Sequence, residues 1–135
     1  MREIKFRYFD TKRQEFINDC DVYFIDSNCI LAGDLDNPPV VDITNNVVVS
    51  QYTGLKDKNG KGIYEGDVLD LSLGEDSVLR CEVIYEAPSF CRKWYNANTI
   101  RLRQREIEPM AWNTHIVYEV IGNIYENPEL LEESK

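Results

Sequence analysis

Residues 87 to 105 combine positive charge with aromatic rings and include no acidic residue. The cations and aromatic side chains in this basic segment form one candidate contact set: Arg92, Lys93, Trp94, Tyr95, Arg101, Arg103 and Arg105. Cations neutralise phosphates while aromatic rings stack on bases, a combination that single-strand nucleic-acid binders use. The alternation through Arg101, Leu102 and Arg103 predicts an exposed strand face that carries the cations. The segment therefore predicts a contact surface for nucleic acid or for a protein.

The rest of the chain is strongly acidic. The formal net charge is −9 at pH 7 although the basic segment contributes +5, so the remaining residues carry −14. Such a surface repels a polyanion and favours solubility and association with proteins. We therefore expect the basic segment to meet acidic groups of a protein partner, including a second copy of this chain. Nucleic-acid contact is the alternative.

Residue types that commonly perform catalysis or bind metals are sparse and poorly spaced for it. The sequence has four cysteines, at Cys20, Cys29, Cys81 and Cys91. Their spacing lacks the tight pairs of a zinc site, so we expect reduced, buried thiols. His115 is the only histidine, and no serine or cysteine motif accompanies it as a nucleophile. Glu65 and Asp67 lack the further oxygen ligands of a calcium loop. We predict no enzyme activity, no metal site and no cofactor.

Alternation of apolar and polar residues predicts that most elements are strands. The runs 69–73 and 79–85 alternate in this way on either side of a Gly-Glu-Asp turn, and we expect them to pair antiparallel. The run 115–126 is expected to close the same sheet. Asn59-Gly60 predicts a type I′ turn, because both residue types tolerate positive φ. Residues 33–40 contain paired prolines and predict a loop or a boundary.

These elements predict a mainly β fold. We expect a small antiparallel, barrel-like sheet body, with an SH3-like barrel around residues 51–85 as one description of it. An N-terminal β piece precedes the body, and Asn127-Pro128 predicts the start of a short C-terminal helix. The chain is interpreted as one domain, 1–135, with an N-terminal subregion at 1–39 and a main β body at 40–135.

The sequence also predicts a cytoplasmic location. Its longest apolar runs, such as Val47 to Val49, are far shorter than the roughly 20 residues of a membrane span. The opening MREIKFRYFD alternates charged with apolar residues and lacks the apolar core of a signal peptide.

Three stretches together resemble the YopX-like family of phage and prophage proteins. They are the opening MREIKFRYFD, the glycine-rich QYTGLKDKNGKGIYEGDVL at 51–69, and EVIGNIYENPELL at 119–131. The sequence departs from the family pattern at Tyr8-Phe9, where Ala-Trp is usual, and at Gly62, where an acidic residue is common. The resemblance implies a mainly β fold and a phage or prophage source, and it brings no catalytic residues with it.

We therefore expect a non-enzymatic protein-interaction module that binds a host or phage protein and self-associates. The alternative function is that of an accessory protein of phage replication or recombination, which would contact nucleic acid through residues 87–105. No membrane partner is expected.

Overall fold

The structure is a computed structural model that describes residues 3–26, 28–34, 36–71, 79–95, 100–101, 104–112 and 116–132. The chain divides into two compact units, an N-terminal unit at residues 4–51 and a C-terminal unit that begins at Tyr52. The sequence predicts one domain with an N-terminal subregion at 1–39 and a main β body at 40–135. The N-terminal unit extends further because residues 47–51 pair with the first strand of the chain.

The N-terminal unit is built from antiparallel strands. Its strands are β1 (Phe6–Asp10), β2 (Glu15–Ile17), β3 (Val22–Asp26), β4 (Cys29–Asp34), β5 (Asn37–Asp42) and the first half of β6 (Val47–Lys56). β1 lies between β2 and residues 47–51, and β4 lies between β3 and β5. The buried rings of Tyr8 and Phe9 contact Phe24 and Phe16 respectively. Neighbouring β1 residues therefore pack in opposite directions, as strand geometry requires.

The C-terminal unit is built around a five-stranded antiparallel sheet. Its strands are the second half of β6, β7 (Gly62–Tyr64), β8 (Asp67–Asp70), β9 (Arg80–Glu86), β10 (Ser89–Trp94), β11 (Ile107–Pro109) and β12 (Glu119–Asn123). The order of the sheet is β11-β10-β9-β8-β12, and residues 52–56 of β6 pair separately with β7. The predicted pairing of 69–73 with 79–85 is confirmed over Val68 to Asp70 and Arg80 to Glu82. β12 extends the sheet beside β8, as predicted.

The core of the C-terminal unit contains eight buried side chains: Ile63, Leu69, Leu71, Cys81, Val83, Trp94, Met110 and Tyr118. Four of them, Leu69, Cys81, Val83 and Trp94, lie on β8, β9 and β10; Cys81 and Val83 share a face because they are two positions apart on β9. The described sheets are antiparallel and one curls into a half-barrel, so the predicted mainly β, barrel-like fold is confirmed.

The tight turn at Asn59-Gly60 is present, but its type differs from the prediction. Gly60 has φ of +82°, whereas Asn59 is not among the described residues with positive φ. The Gly60 N–H donates to the Asp57 carbonyl at 3.0 Å, and the Asp57 N–H donates to the Lys61 carbonyl at 2.8 Å. The β6–β7 hairpin therefore closes with a longer loop that ends on a left-handed glycine, and not with a type I′ turn.

The prediction of a loop over 33–40 is wrong. β4 continues to Asp34 and β5 begins at Asn37, and these two residues pair with each other. Pro38 and Pro39 lie inside β5, which is an outer strand of its sheet. An outer strand tolerates proline because one of its edges donates no ladder hydrogen bonds.

The glycine-rich stretch and the C-terminal stretch meet in the C-terminal unit. β8 pairs with β12, and the Ile124 N–H donates to the Gly66 carbonyl at 2.9 Å. A Cβ on Gly66 would lie 2.7 Å from ring carbon Cε2 of Tyr125, and Gly66 has φ of +89°. Both the close contact with Tyr125 and the positive φ require glycine at position 66. This part of the glycine-rich stretch therefore has a structural role.

At the C-terminal end the structure describes one helical turn, Glu129–Glu132. The short C-terminal helix that the sequence predicts stays a prediction. Among the described residues no helix is long and apolar enough to cross a membrane.

Candidate functional site: an apolar groove of the C-terminal unit

Two residues of the predicted contact set, Arg92 and Trp94, lie in the interior of the C-terminal unit. Arg92 and Trp94 are each only 1% exposed, so they cannot contact a partner or a nucleic acid in this fold. Their alternation along β10 directs both side chains to the interior, and Trp94 belongs to the core of the unit. The sequence placed them with the exposed candidates because arginine is rarely buried unless it is paired.

The other candidates are dispersed over different elements. Lys93 lies on β10 with its ammonium 5.1 Å from the ring centroid of Tyr95. The Tyr95 hydroxyl donates to the Glu82 carboxylate, and partial burial together with that carboxylate raises the pKa of Tyr95. Arg101 is exposed and has helical backbone conformation. Arg105 is exposed and lies outside the described helices and strands. The predicted strand face is therefore wrong for these two arginines, while Arg103 lies outside the described residues.

Arg92 is bound by a buried network. Its Nε and Nη2 atoms each lie 2.9 Å from Oε1 of Glu108, which is 3% exposed. Nη2 also donates to the Trp112 carbonyl at 3.0 Å, and Nη1 donates to the Tyr118 hydroxyl. A buried guanidinium needs this degree of pairing, since an uncompensated internal charge is strongly destabilising. Arg92 therefore ties residues 108–112 and Tyr118 to β10.

The segments that Arg92 holds form part of an apolar groove. The groove has a volume of about 350 Å³ and is open to solvent on one side. It lies between the end of β6, the start of β10 and residues 110–118, and its lining is Thr53, Leu55, Lys56, Ser89, Phe90, Met110, Ala111, Ile116 and Tyr118. Its volume falls at the lower end of ligand sites, which span about 300–1,000 Å³.

Exposed apolar side chains occur on the groove wall, in contact with a lining residue, and next to lining residues in the sequence. Leu55 lines it, Tyr85 contacts the Phe90 ring edge-on at 5.3 Å, and Trp112 and Val117 adjoin lining residues in the chain. These four side chains are between 44% and 60% exposed. The Arg105 guanidinium lies 4.7 Å from the Trp112 ring centroid. Exposed aromatic and aliphatic groups concentrated in this way mark interaction surfaces, and Trp, Tyr and Arg are the commonest energetic anchors there.

The polar groups of the groove are few. Its lining offers the hydroxyls of Thr53, Ser89 and Tyr118 and one cation, Lys56. The Thr53 hydroxyl donates to the Ile63 carbonyl at 2.8 Å, which leaves it committed to the fold. Burial raises the pKa of Tyr118 although the Arg92 charge opposes this, so its hydroxyl stays neutral at physiological pH. Among the described ion pairs none involves Lys56.

Residues that metals or covalent chemistry would require are not assembled in the described structure. No group of three or more His, Cys, Asp or Glu side chains within the described ranges is placed to hold a metal ion. None of the four cysteines forms a disulfide bond there; Cys81 and Cys91 are buried, Cys29 is partly buried and Cys20 is exposed. The expectation of burial is therefore wrong for Cys20. His115 lies outside the described residues.

Sequence reasoning did not find the groove. Its lining comes from three separate stretches, and each lining residue is of a type that is ordinary in a strand or a loop. A signal was nevertheless present, since MAW at 110–112 places apolar residues directly after Pro109, where a polar loop is expected.

Comparisons with known proteins identify relatives of the whole chain. The sequence model of the family described as YopX protein matches residues 5–132. Protein EF1440 from Enterococcus faecalis has a similar crystal structure, with 29% identity and a TM-score of 0.64 over 97% of this chain and 99% of that one. The crystal structure of protein yopX from Bacillus subtilis is also similar, with 23% identity and a TM-score of 0.61 over 96% and 98% of the two chains. No curated protein is significantly similar in sequence.

Proposed function

The chain belongs to the YopX protein family, and we propose that it is a non-enzymatic interaction module whose groove binds a peptide segment of a partner protein. In this proposal the protein originates from a phage or prophage and acts in the cytoplasm of the bacterial host. The partner is a host or phage protein that inserts an apolar side chain into the groove.

The observation that carries the proposal is the open apolar groove, with the exposed Leu55 on its wall and the exposed Tyr85 against its lining residue Phe90. The cavity alone would suit a small molecule, but the half-exposed Tyr85 contacts the lining residue Phe90 and extends the apolar surface past it. A small ligand would leave that surface in water, whereas a peptide covers it. The favourable free energy of binding increases with the apolar area that is removed from water, by roughly 25 cal/mol per Å². The costs of association are subtracted from this amount.

The charge at the groove refines the chemistry of the peptide. Lys56 lies on the wall, while the nearby Lys58 is already 3.0 Å from the Glu119 carboxylate. A carboxylate on the bound peptide would pair with Lys56. We therefore propose an apolar anchor side chain with an Asp, a Glu or a free C-terminus close to it.

The polar groups support a binding role over a catalytic one. A serine nucleophile needs a base within hydrogen-bonding distance. The described neighbour of the Ser89 hydroxyl is the Cys91 sulfur at 3.7 Å. Cys91 is buried and its thiol contacts the Ser89 carbonyl at 3.6 Å, so this pair stabilises β10 and does not activate Ser89.

The experiment is a selection of binding peptides from a random display library, followed by titration of the selected peptides against variants. We expect them to share an apolar residue next to an acidic one. Leu55→Glu should weaken their binding at least about tenfold, because it places a charge on the groove wall. Ile4→Glu is the matched control, since it places the same charge at an exposed aliphatic residue that does not line the groove. Equal binding to both variants would contradict the proposal.

A further inference from the structure

The three-stranded sheet of the N-terminal unit has two different outer edges. β5 lies at one edge and contains Pro38 and Pro39, which have no N–H to donate. β3 lies at the other edge and contains no proline. In an antiparallel ladder alternate residues of a strand direct their N–H and C=O groups away from their neighbour. β3 therefore presents main-chain groups that can pair with a further strand.

The side chains of β3 are unusually apolar for an exposed edge. Phe24 is 54% exposed, and Ile25, at the register shift between Phe24 and Asp26, is 61% exposed. Two apolar side chains near the end of β3 are thus largely open to solvent, although the Phe24 ring also contacts Tyr8. Val41 on β5 is also 56% exposed. An exposed apolar edge strand is a template for pairing with another chain unless charges or prolines protect it.

The charge around this edge is mainly negative, although Arg13 lines the same cavity as Asp21. Residues 14–55 contain seven acidic residues and no Lys, Arg or His. Asp26, Asp34, Asp36 and Asp42 are exposed on or beside the sheet, and Asp21 lies at the start of β3. Hydrogen bonds from the Thr44 hydroxyl and N–H lower the pKa of Asp42, which keeps that carboxylate ionised.

We propose that β3 is a second docking surface, which adds a strand of a partner protein that carries Lys or Arg beside apolar residues. Main-chain pairing supplies affinity in strand addition, and the flanking side chains supply specificity. Asp21 directly precedes β3 and Asp26 ends it, and both would meet cations of the added strand. A second copy of this chain does not suit the edge, because its β3 would bring further acidic residues against the same surface. The proposal does not depend on the groove.

The probe is a synthetic peptide that alternates lysine with valine, titrated against the full chain by fluorescence anisotropy. We expect binding that the Asp21→Asn/Asp26→Asn variant weakens on the order of three- to tenfold. Asparagine at 26 can retain the contact with the Asn28 N–H at 2.7 Å, so the hairpin should persist. Two further peptides, N-methylated on one or the other set of alternate amides, test main-chain pairing. At least one of the two should lose binding.

Three results would overturn the proposal: no binding of the lysine-valine peptide, undiminished binding by both methylated peptides, or equal binding by wild type and the double asparagine variant. Loss of binding in Leu55→Glu alone would also overturn it, because the peptide would then occupy the groove. Self-association of the wild type that Ile25→Lys weakens would assign the edge to a second copy instead, which sedimentation would reveal.

Discussion

The Asp57 carboxylate accepts a hydrogen bond from the Val120 N–H at 3.0 Å, across 63 positions of the chain. Its other oxygen accepts the N–H groups of Asn59 and Lys61 at 2.9 and 2.8 Å. One nearly buried carboxylate thus closes the β6–β7 loop and fastens it to β12. Lys58 adds to the same junction, because its N–H donates to the Tyr118 carbonyl at 2.9 Å. Since Tyr118 lines the groove, the glycine-rich loop helps to hold one groove wall.

We expect Asp57→Asn to lower the free energy of unfolding by about 1.5–3 kcal/mol at pH 7, the range for hydrogen bonds to a charged group. Burial alone would raise the pKa of Asp57, but the Val120, Lys61 and Asn59 N–H groups and the Lys61 charge lower it. A carboxyl group with a lowered folded-state pKa stabilises above its unfolded pKa of about 3.9 and loses that contribution as the pH falls through the folded value.

Urea unfolding of wild type and Asp57→Asn gives the free energy of unfolding of each protein. The difference between these two free energies should therefore become smaller as the pH falls from 5 to 2. Asp36→Asn, which removes an exposed carboxylate, is the control and should change stability little. A difference that stays constant down to pH 2 would show that the charge of Asp57 is irrelevant.

Two glycines of the glycine-rich stretch should differ in their tolerance of alanine. Gly60 and Gly66 have φ of +82° and +89°, but a Cβ on Gly60 meets nothing within 4 Å. Gly60→Ala should cost about 1–2 kcal/mol of backbone strain. Gly66→Ala adds the clash with Tyr125 and should cost about 1–3 kcal/mol more. Thermal melts of the two variants measure this difference, and an equal loss of stability in both would count against the packing of Gly66 on Tyr125.

The Gly60→Val variant tests the left-handed turn itself. A thermal melt of this variant that is unchanged from wild type would count against that turn.

The buried ion pair predicts strong coupling between Arg92 and Glu108. Arg92→Met or Glu108→Leu alone should each destabilise by about 3–5 kcal/mol, because each leaves an uncompensated buried charge. The loss of unfolding free energy in the double variant should be much smaller than the sum of the losses in the two single variants. Chemical denaturation of all four proteins gives the coupling free energy, and strict additivity would contradict the described network.

We expect the basic segment to bind single-stranded DNA no better than the rest of this acidic protein does. Arg92 and Trp94 are buried, and the Lys93 and Arg105 cations lie over the Tyr95 and Trp112 rings. The test compares wild type with the variant in which Arg101, Arg103 and Arg105 are changed to glutamine. Salt-sensitive binding by wild type that disappears in the variant would reverse this conclusion, since each neutralised phosphate releases a counterion.

Alternation along single strands was sufficient to predict the β8–β9 pairing and the addition of β12. It could not predict the burial of Arg92, because the carboxylate that makes burial possible lies 16 positions away on β11. Pro38 and Pro39 misled the prediction for a similar reason. Prolines inside a strand are tolerated at the edge of a sheet. Which strand lies at the edge depends on the topology of the whole sheet, which a local sequence pattern does not show.

The groove was beyond sequence reasoning for a different reason. Leu55, Phe90 and Met110 come from three elements, and no local pattern indicates that they share one cavity. Local pattern also does not distinguish an apolar side chain that is buried from one that stays exposed. Ile4 and Tyr8 share a face in the alternation, yet Ile4 is 64% exposed and Tyr8 is buried.

The most direct test of the account is to map a library-selected peptide onto the isotope-labelled protein by amide chemical shifts. We predict that the largest shifts fall at Leu55, Phe90 and Ala111, and that Leu55→Glu abolishes them while Ile4→Glu does not. Shifts confined to β3 and its neighbours, or shifts that persist unchanged in Leu55→Glu, would contradict the assignment of the groove as the site where this protein binds its partner.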